Sequence, residues 1–335
     1  MKKFIKPSVV TPLVLLLFAI LLPVIIRQPY IIQIAIIALF YSYLCSCWNI
    51  IAGYAGQFAL GNGVYVGIGA YISAMLFVYF RISPWISMFM GGIVSVIFAV
   101  IISTPCFRLS GTYFSLATVA FLFVMRFVIL STNSIFGLET YGGIGLMIPY
   151  EGGLASMQLS KIGYYYMILI LLVVILLISA WVRRSKIGYY LAAINTNQGA
   201  ASTIGVNVVL YKLIAQCICA FFMSIGGTFY AFFLLNVNPY TVLGFNMSLV
   251  IMIYCIIGGN GTLWGPVMGA FFLSTTTEFL RVRMGAVYAP WATVGFGMVL
   301  ILMVRFAPGG VISILEMLVE KVRKRFSVKA GRAAV

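Results

Sequence analysis

Five carboxylates, six thiols and no imidazole bound the side-chain chemistry open to this 335-residue chain. The carboxylates are all glutamate (Glu139, Glu151, Glu278, Glu316, Glu320); aspartate and histidine are absent. Without histidine, imidazole ligation of haem or zinc and imidazole proton relays are excluded. Glu278 is the only carboxylate inside an apolar stretch, and Arg281 follows at i+3, the spacing of a local ion pair on a helix. Contact with the amino group of a substrate is the alternative role for Glu278. Cys45 and Cys47, and again Cys217 and Cys219, stand two residues apart, so on a helix each pair points to nearly opposite sides and chelates no ion. They read as small buried hydrophobes with no disulfide framework. A catalytic site, a metal site and a cofactor are therefore not expected, and an intramembrane enzyme is the poorest reading because its acid–base apparatus is missing. No G-x-x-x-x-G-K-[ST] loop occurs, so any ATP-derived energy must reach this chain from a partner.

The elements that position these groups are membrane helices. The chain is 63% hydrophobic and 8% charged, where a soluble domain carries roughly 25% charged residues. Apolar runs predict helices near 9–26, 30–52, 63–80, 84–104, 112–130, 162–182, 213–234, 246–258, 264–280 and 286–304. At roughly 20 residues per span, the expected fold is all-α: one polytopic membrane domain over 1–310, about eight to ten transmembrane helices with glycine-broken segments. Residues 311–335 form a basic tail whose Val311, Ile314, Leu315, Leu318 and Val322 share one helical face, as in an interfacial helix held by anionic lipid.

The formal net charge of +16 follows the positive-inside rule and needs no nucleic acid partner. With the amino terminus inside, Lys2, Lys3, Lys6, Arg108, Arg183, Arg184, Lys186, Lys212, Arg305 and the tail's Lys321, Arg323, Lys324, Arg325, Lys329 and Arg332 are cytoplasmic. Only Arg27, Arg81, Lys161, Arg281 and Arg283 fall outside, which predicts both termini on the cytoplasmic side of a plasma membrane. Arg126 stays inside a span, near enough to its outer end to snorkel. The amino-terminal stretch resembles a secretory signal, but its long apolar core without a small-x-small site reads as a retained helix. Two long connections remain: an external one at 131–161 and an internal one at 183–212.

Glycines interrupt two apolar regions. Asn49 to Gly63 (NIIAGYAGQFALGNG) is echoed by Ile256 to Pro266 (IIGGNGTLWGP), and both run into small-xxx-small helices, Gly63-x-x-x-Gly67 and Gly265-x-x-x-Gly269. Broken backbone at membrane depth is tolerated only where protein or a water-filled cavity surrounds it, and a matched pair of breaks points to a transport pathway. Asn49, Gln57, Asn62, Tyr113, Ser115, Thr118, Asn246 and Asn260 lie near these breaks and are the candidates for lining it.

Six stretches carry a family resemblance: Asn49–Tyr71 (NIIAGYAGQFALGNGVYVGIGAY), Arg108–Phe121 (RLSGTYFSLATVAF), Gly137–Pro149 (GLETYGGIGLMIP), Ile204–Lys212 (IGVNVVLYK), Ile257–Ala270 (IGGNGTLWGPVMGA) and Arg305–Gly310 (RFAPGG). In these the chain resembles the permease subunits of the branched-chain amino acid class of ABC importers, and more the second of their two permeases. The resemblance implies a helical domain similar to the vitamin B12 importer type, a second permease subunit, two cytoplasmic ATPases, an external solute-binding protein, and a bacterial or archaeal cytoplasmic membrane. Within that architecture the solute is a branched-chain or related amino acid, or else urea, an amide or another small polar molecule. A channel or facilitator working without an ATPase is the alternative from another class.

The resemblance also implies that the internal loop docks on the ATPase through a helix over Leu191 to Gly205. Relatives carry an acidic, arginine-containing run there, whereas this chain reads Asn195-Thr196-Asn197-Gln198. Ala192, Ala193, Gly199, Ala200, Ala201 and Gly205 keep the loop small, and Asn195 and Asn197 are suitable N-caps. Docking by shape, insensitive to salt, is expected. In the external loop, Gly137, Glu139, Gly142, Gly143 and Gly145 are the candidates for meeting the binding protein.

Overall fold

A computed structural model describes residues 22–23, 28–109, 111–132, 134–135, 138–139, 142–284 and 297–298. In chain order the elements are α1 (Pro29–Asn49), prolonged by one wide π-helical turn at Ile50–Tyr54, then α2 (Gly63–Phe80), α3 (Pro84–Cys106) and α4 (Thr112–Ser131). Strands β1 (Ser134–Ile135), β2 (Leu138–Glu139) and β3 (Leu146–Met147) follow, then α5 (Lys161–Arg184), α6 (Lys186–Thr196), α7 (Gln198–Thr203) and α8 (Val208–Leu234). The chain continues through β4 (Asn236–Val237), α9 (Pro239–Val242), α10 (Phe245–Gly259) and α11 (Gly265–Met284). The helices expected at 9–26 and 286–304, and the tail at 311–335, lie outside the described residues except for 22–23 and 297–298.

Seven of these segments, counting α9 with α10, are long and apolar enough to cross a membrane. α11 is as long but carries Ser274, Thr275, Thr276, Thr277 and Glu278 in its second half. Local chemistry sets many of the boundaries. Pro29 and Pro84 begin α1 and α3 at positions where no amide donor is needed. Ser160 Oγ accepts from the Gly163 amide to start α5, and Asn207 Oδ1 accepts from the Leu210 amide to start α8. That cap begins α8 at Val208, a turn or more before the expected 213, and shortens the preceding loop to match. Lys212, expected to end the internal connection at 183–212, thus falls inside the helix and is buried.

α1 is the mast of the domain. From Ala38 to Ala55 nearly every side chain is buried, with Phe40, Tyr43 and Trp48 the largest. Around it pack α5, α8, α10 and α11, while α2 and α3 pack on the far side of α8. α3 turns Ile86, Phe89, Ile93, Ile97 and Ile101 outward, a stripe at helical spacing suited to lipid. In hydrocarbon, helices gain little from hiding apolar surface, so cohesion rests on close packing between small residues. A Cβ added to Gly227 would collide with the Val66 carbonyl, and one on Gly69 with the Ser224 carbonyl, so α2 and α8 meet backbone to backbone. Gly265 and Gly269 are used in the same way, against the Gly258–Gly259 backbone, whereas Gly63 and Gly67 make room for the Ser248 and Leu243 side chains.

Backbone contact of this kind leaves no flexible atom to yield. Gly227→Val is expected to reduce the yield of monodisperse detergent-purified protein at least several-fold, whereas Gly199→Ala, whose nearest neighbour is Asn197 Oδ1 at 3.4 Å, should purify like the parent. Size-exclusion chromatography of the two variants measures this; equal yields would show that the α2–α8 interface is not tight.

Candidate functional site: the junction of two broken helices

α1 does not end in a capped turn. Its last turn widens into the π-turn at Ile50–Tyr54, and a helix end of this kind leaves carbonyl oxygens without intrahelical donors. Two asparagines resolve the shortage. Asn260 Nδ2 donates to the Ala52 carbonyl (3.3 Å), and Asn195 Nδ2 donates to the Gly53 carbonyl (3.2 Å). In return Asn49, 1% exposed, donates through Nδ2 to the Thr262 carbonyl (2.8 Å) and accepts at Oδ1 from the Gly261 amide (2.9 Å). Each glycine break thus lends one asparagine to the backbone of the other. Glycine is obligatory here: a Cβ on Gly53 would stand 2.7 Å from the Gly261 nitrogen, Gly261 itself has φ +79°, and a Cβ on Gly56 (φ +68°) would collide with Asn195 Oδ1.

The segment between α1 and α2 is braced along its length. Trp48 Nε1 donates to the Ala59 carbonyl (2.8 Å) and Ser115 Oγ to the Phe58 carbonyl (2.5 Å). Thr118 Oγ1 accepts from the Gly61 amide (3.2 Å), and Ser248 Oγ from the Gly63 amide (3.0 Å). Deeper in the same bundle Gln216 Nε2 donates to Asn62 Oδ1 (2.9 Å) and to the Tyr65 hydroxyl (3.1 Å), while Asn62 Nδ2 donates to Cys219 Sγ (3.4 Å).

The sequence-derived pathway candidates therefore separate into two sets. Asn49, Ser115, Thr118 and Asn260 are committed to backbone groups, and Asn62 to the Gln216 and Cys219 side chains. Gln57 is half-buried, and Tyr113 (68% exposed) and Asn246 stand on the surface. Gln216, buried on α8, was not singled out from the sequence, although a lone amide in an apolar run was the available signal, and Lys212 was read only as a cytoplasmic charge.

The loop at 185–207 lies at the same end of the bundle as the two breaks. It forms two short helices, where one over Leu191–Gly205 was expected. Asn197 divides them: its Oδ1 accepts from the Ala200 amide (3.1 Å) and so caps α7. Asn195, the other expected cap, instead reaches Gly53. Lys212 Nζ donates to Gln198 Oε1 (2.7 Å), and Gly205, at φ +88°, closes the second helix. Ala201 is 2% exposed and packs with Ile194 and Val208, so it faces the chain itself. Ala192, Gly199 and Ala200 face outward, Ala193 is half-buried, and Ile204 is 77% exposed.

The opposite end carries 132–160. β3 pairs antiparallel with β4, Leu146 facing Val237, and Gly145 (φ +85°) approaches the Val237 carbonyl so closely that a Cβ would stand 2.6 Å away. The Gly142–Ile144 turn leads into that strand. Gln158 folds the loop by donating to the Pro149 carbonyl (2.7 Å) and accepting from the Glu151 and Gly152 amides (2.5 and 2.7 Å). Arg81 and Glu151 form an ion pair, and Trp85 Nε1 donates to the Leu154 carbonyl (2.8 Å). Glu139 closes the short β1–β2 pairing opposite Ser134, and Gly137 lies outside the described residues. The arrangement as a whole is a bundle with a hydrogen-bonded junction at one end and a shaped loop at the other, and the described residues hold no metal-binding cluster.

The junction has a measurable weight. Asn49→Ala strands the half-buried Gly261 amide and Thr262 carbonyl, each at a cost of about 1 kcal/mol or more, so the melting temperature of the purified protein is expected to fall by a few degrees. Asn260→Ala should do the same more weakly, since Asn260 is only half-buried. Unchanged melting of Asn49→Ala would show that the two breaks do not hold one another.

Comparison with known proteins agrees with this architecture. The sequence profile of the family described as "Branched-chain amino acid transport system / permease component" matches residues 30–304. Among curated proteins, the high-affinity branched-chain amino acid transport system permease protein LivM of Salmonella typhimurium is 24% identical over 322 residues, covering 90% of this chain and 73% of LivM. LivM of Escherichia coli is 24% identical over 301 residues, covering 84% of this chain and 69% of LivM. No solved structure gives a significant match, so the likeness to the vitamin B12 importers rests on resemblance alone. A bundle of membrane-spanning helices with two interlocked glycine breaks, matched by the family profile over most of its length, belongs to the permease components of branched-chain amino acid transport systems.

Proposed function

We propose that this chain is a transmembrane permease subunit of an ATP-driven importer for branched-chain or related amino acids. It would work beside a second permease subunit, two cytoplasmic ATPases and an external solute-binding protein, with ATP hydrolysis confined to the ATPases. The observation that carries the reading is the Asn195–Gly53 hydrogen bond (3.2 Å), which ties the loop at 185–207 directly to the π-turn that ends α1. A permease without a nucleotide site needs a stiff element to receive the ATPase stroke. Here Asn197 caps the second loop helix, Lys212 anchors its first residue, and Asn195 hands motion on to the paired glycine breaks.

On the charge distribution of the sequence, the end bearing 185–207 faces the cytoplasm with both termini, and 132–160 faces outward to the binding protein. The membrane domain extends over 1–310. The docking surface is the outward side of the loop, Ala192, Gly199, Ala200 and Ile204, rather than Ala201, which supports it from within. An uncharged surface docks by shape, so ATPase retention should vary little between low and high salt.

Two substitutions separate docking from transmission. Ile204→Glu is expected to release the ATPases from the purified complex. Asn195→Ala should keep the ATPases but reduce solute uptake at least tenfold while ATP hydrolysis continues. Wild-type uptake by Asn195→Ala would remove the coupling role. Orientation is tested by single-cysteine labelling of Ser134 and Ser327 in a background without native thiols: Ser134 should label from outside intact cells and Ser327 should not.

A further inference from the structure

Arg126 is a cation held within a span. It sits five residues before Ser131, the last residue of α4, roughly 7.5 Å along the axis at 1.5 Å per residue. A charge at that depth is costly and calls for a partner. No ion pair to Arg126 exists among the described residues, and Glu151 is occupied by Arg81. Rather than extending to the helix end, the Arg126 guanidinium lies over the Tyr240 ring, 4.7 Å from its centroid. A cation–π contact contributes about 0.5–2 kcal/mol and uses none of the five N–H donors. The Arg126 Nε is buried and makes no hydrogen bond.

Arg126 and Tyr240 lie at the end of the bundle that carries 132–160, where Tyr240 is 55% exposed. Asn238 Oδ1 accepts from the Tyr240 amide (2.8 Å) and fixes α9, which presents the ring. A Cβ on Gly143 would stand 4.0 Å from Tyr240 Cε2 and from its hydroxyl, so the Gly142–Ile144 turn lies beside the hydroxyl end of that ring. One turn back along α4, Phe123 packs on Phe245 (5.9 Å between centroids), which brings the first turn of α10 alongside. That helix starts at Gly244 with no side-chain cap, so its end adds positive potential.

From this geometry we propose that Arg126 receives the carboxylate of the transported solute at the outer mouth of the pathway, with Tyr240 holding the guanidinium edge-on to it. The inference rests on the importer reading above and names the chemical class it takes: a small α-amino acid bound by its carboxylate. A planar guanidinium offers a two-pronged match to a carboxylate that lysine cannot supply. The site lies beneath the glycine turn of the external loop, where a solute released by a binding protein would first meet the membrane domain.

The test uses the whole complex, with its partner subunits, in phosphatidylcholine nanodiscs, and radiolabelled leucine as probe. Leucine should bind the parent at least tenfold more tightly than leucinamide, which has the same side chain without a carboxylate. Arg126→Gln should weaken leucine binding tenfold or more, leave leucinamide unchanged and preserve ATPase retention; Arg126→Lys should recover part of the loss. Equal leucine binding by parent and Arg126→Gln overturns the proposal and leaves the importer reading standing. No leucine binding by the parent overturns both. Equal affinity of the parent for leucine and leucinamide also overturns the proposal, a measurement that needs no variant to fold. A change confined to the affinity for vesicles containing phosphatidylglycerol would mean that Arg126 holds a lipid phosphate, and it too overturns the proposal.

Discussion

A helix that stops inside a packed membrane domain leaves carbonyl oxygens that water cannot reach, and every one of them needs a donor from the protein. In this chain that requirement falls on the end of α1, where the π-turn at Ile50–Tyr54 releases the Ala52 and Gly53 carbonyls. Asn260 and Asn195 supply the donors, and Asn49 repays the second break through Gly261 and Thr262. Because α1 is also the most enclosed helix, the positions of α10, α11 and the α6–α7 loop all follow from where it ends.

The polar groups chosen for this are amides. An amide carries donors and an acceptor in one neutral group, so it can bridge two backbones at a lower desolvation cost than a charged side chain. Asn49, Asn62, Gln216 and Asn260 show the same economy: each serves two or more partners, and none needs a counter-ion. The two breaks are therefore joined by directional bonds between side-chain amides and backbone. Such bonds can exist in two discrete arrangements more readily than in a continuum of them.

The two ends of the bundle are built differently. At the 185–207 end, neutral amides and small side chains from Ala192 to Gly205 hold a compact, uncharged patch, with Lys186 exposed at its margin and Lys212 withdrawn beneath it. At the 132–160 end, the Arg81–Glu151 pair, the Arg126–Tyr240 contact and a strand pairing shape a loop whose Ile144, Met147, Tyr150 and Leu154 are largely exposed. A surface bearing several exposed large apolar side chains suits contact with another protein, and a neutral one suits docking by shape.

Long apolar runs, glycine clusters and the excess of basic residues on alternate loops were legible in the sequence, because each is a one-dimensional consequence of crossing a bilayer. The helices between residues 29 and 284 lie close to their expected positions, and the two glycine breaks could be paired by their likeness alone. Tertiary structure decided the rest. Asn49 and Asn260 were candidates by their place near the breaks, but their partners, the Gly261 and Thr262 backbone for Asn49 and the Ala52 carbonyl for Asn260, lie more than 200 positions away in the chain. Asn195, suited to cap a helix, instead bonds the Gly53 carbonyl, and Ala201, one of the small residues of the loop, is buried against Ile194 and Val208. The cause is the same in each case. A polar side chain's role depends on which unpaired backbone group lies within 3 Å or so of it, and only the packing of distant helices brings those groups together.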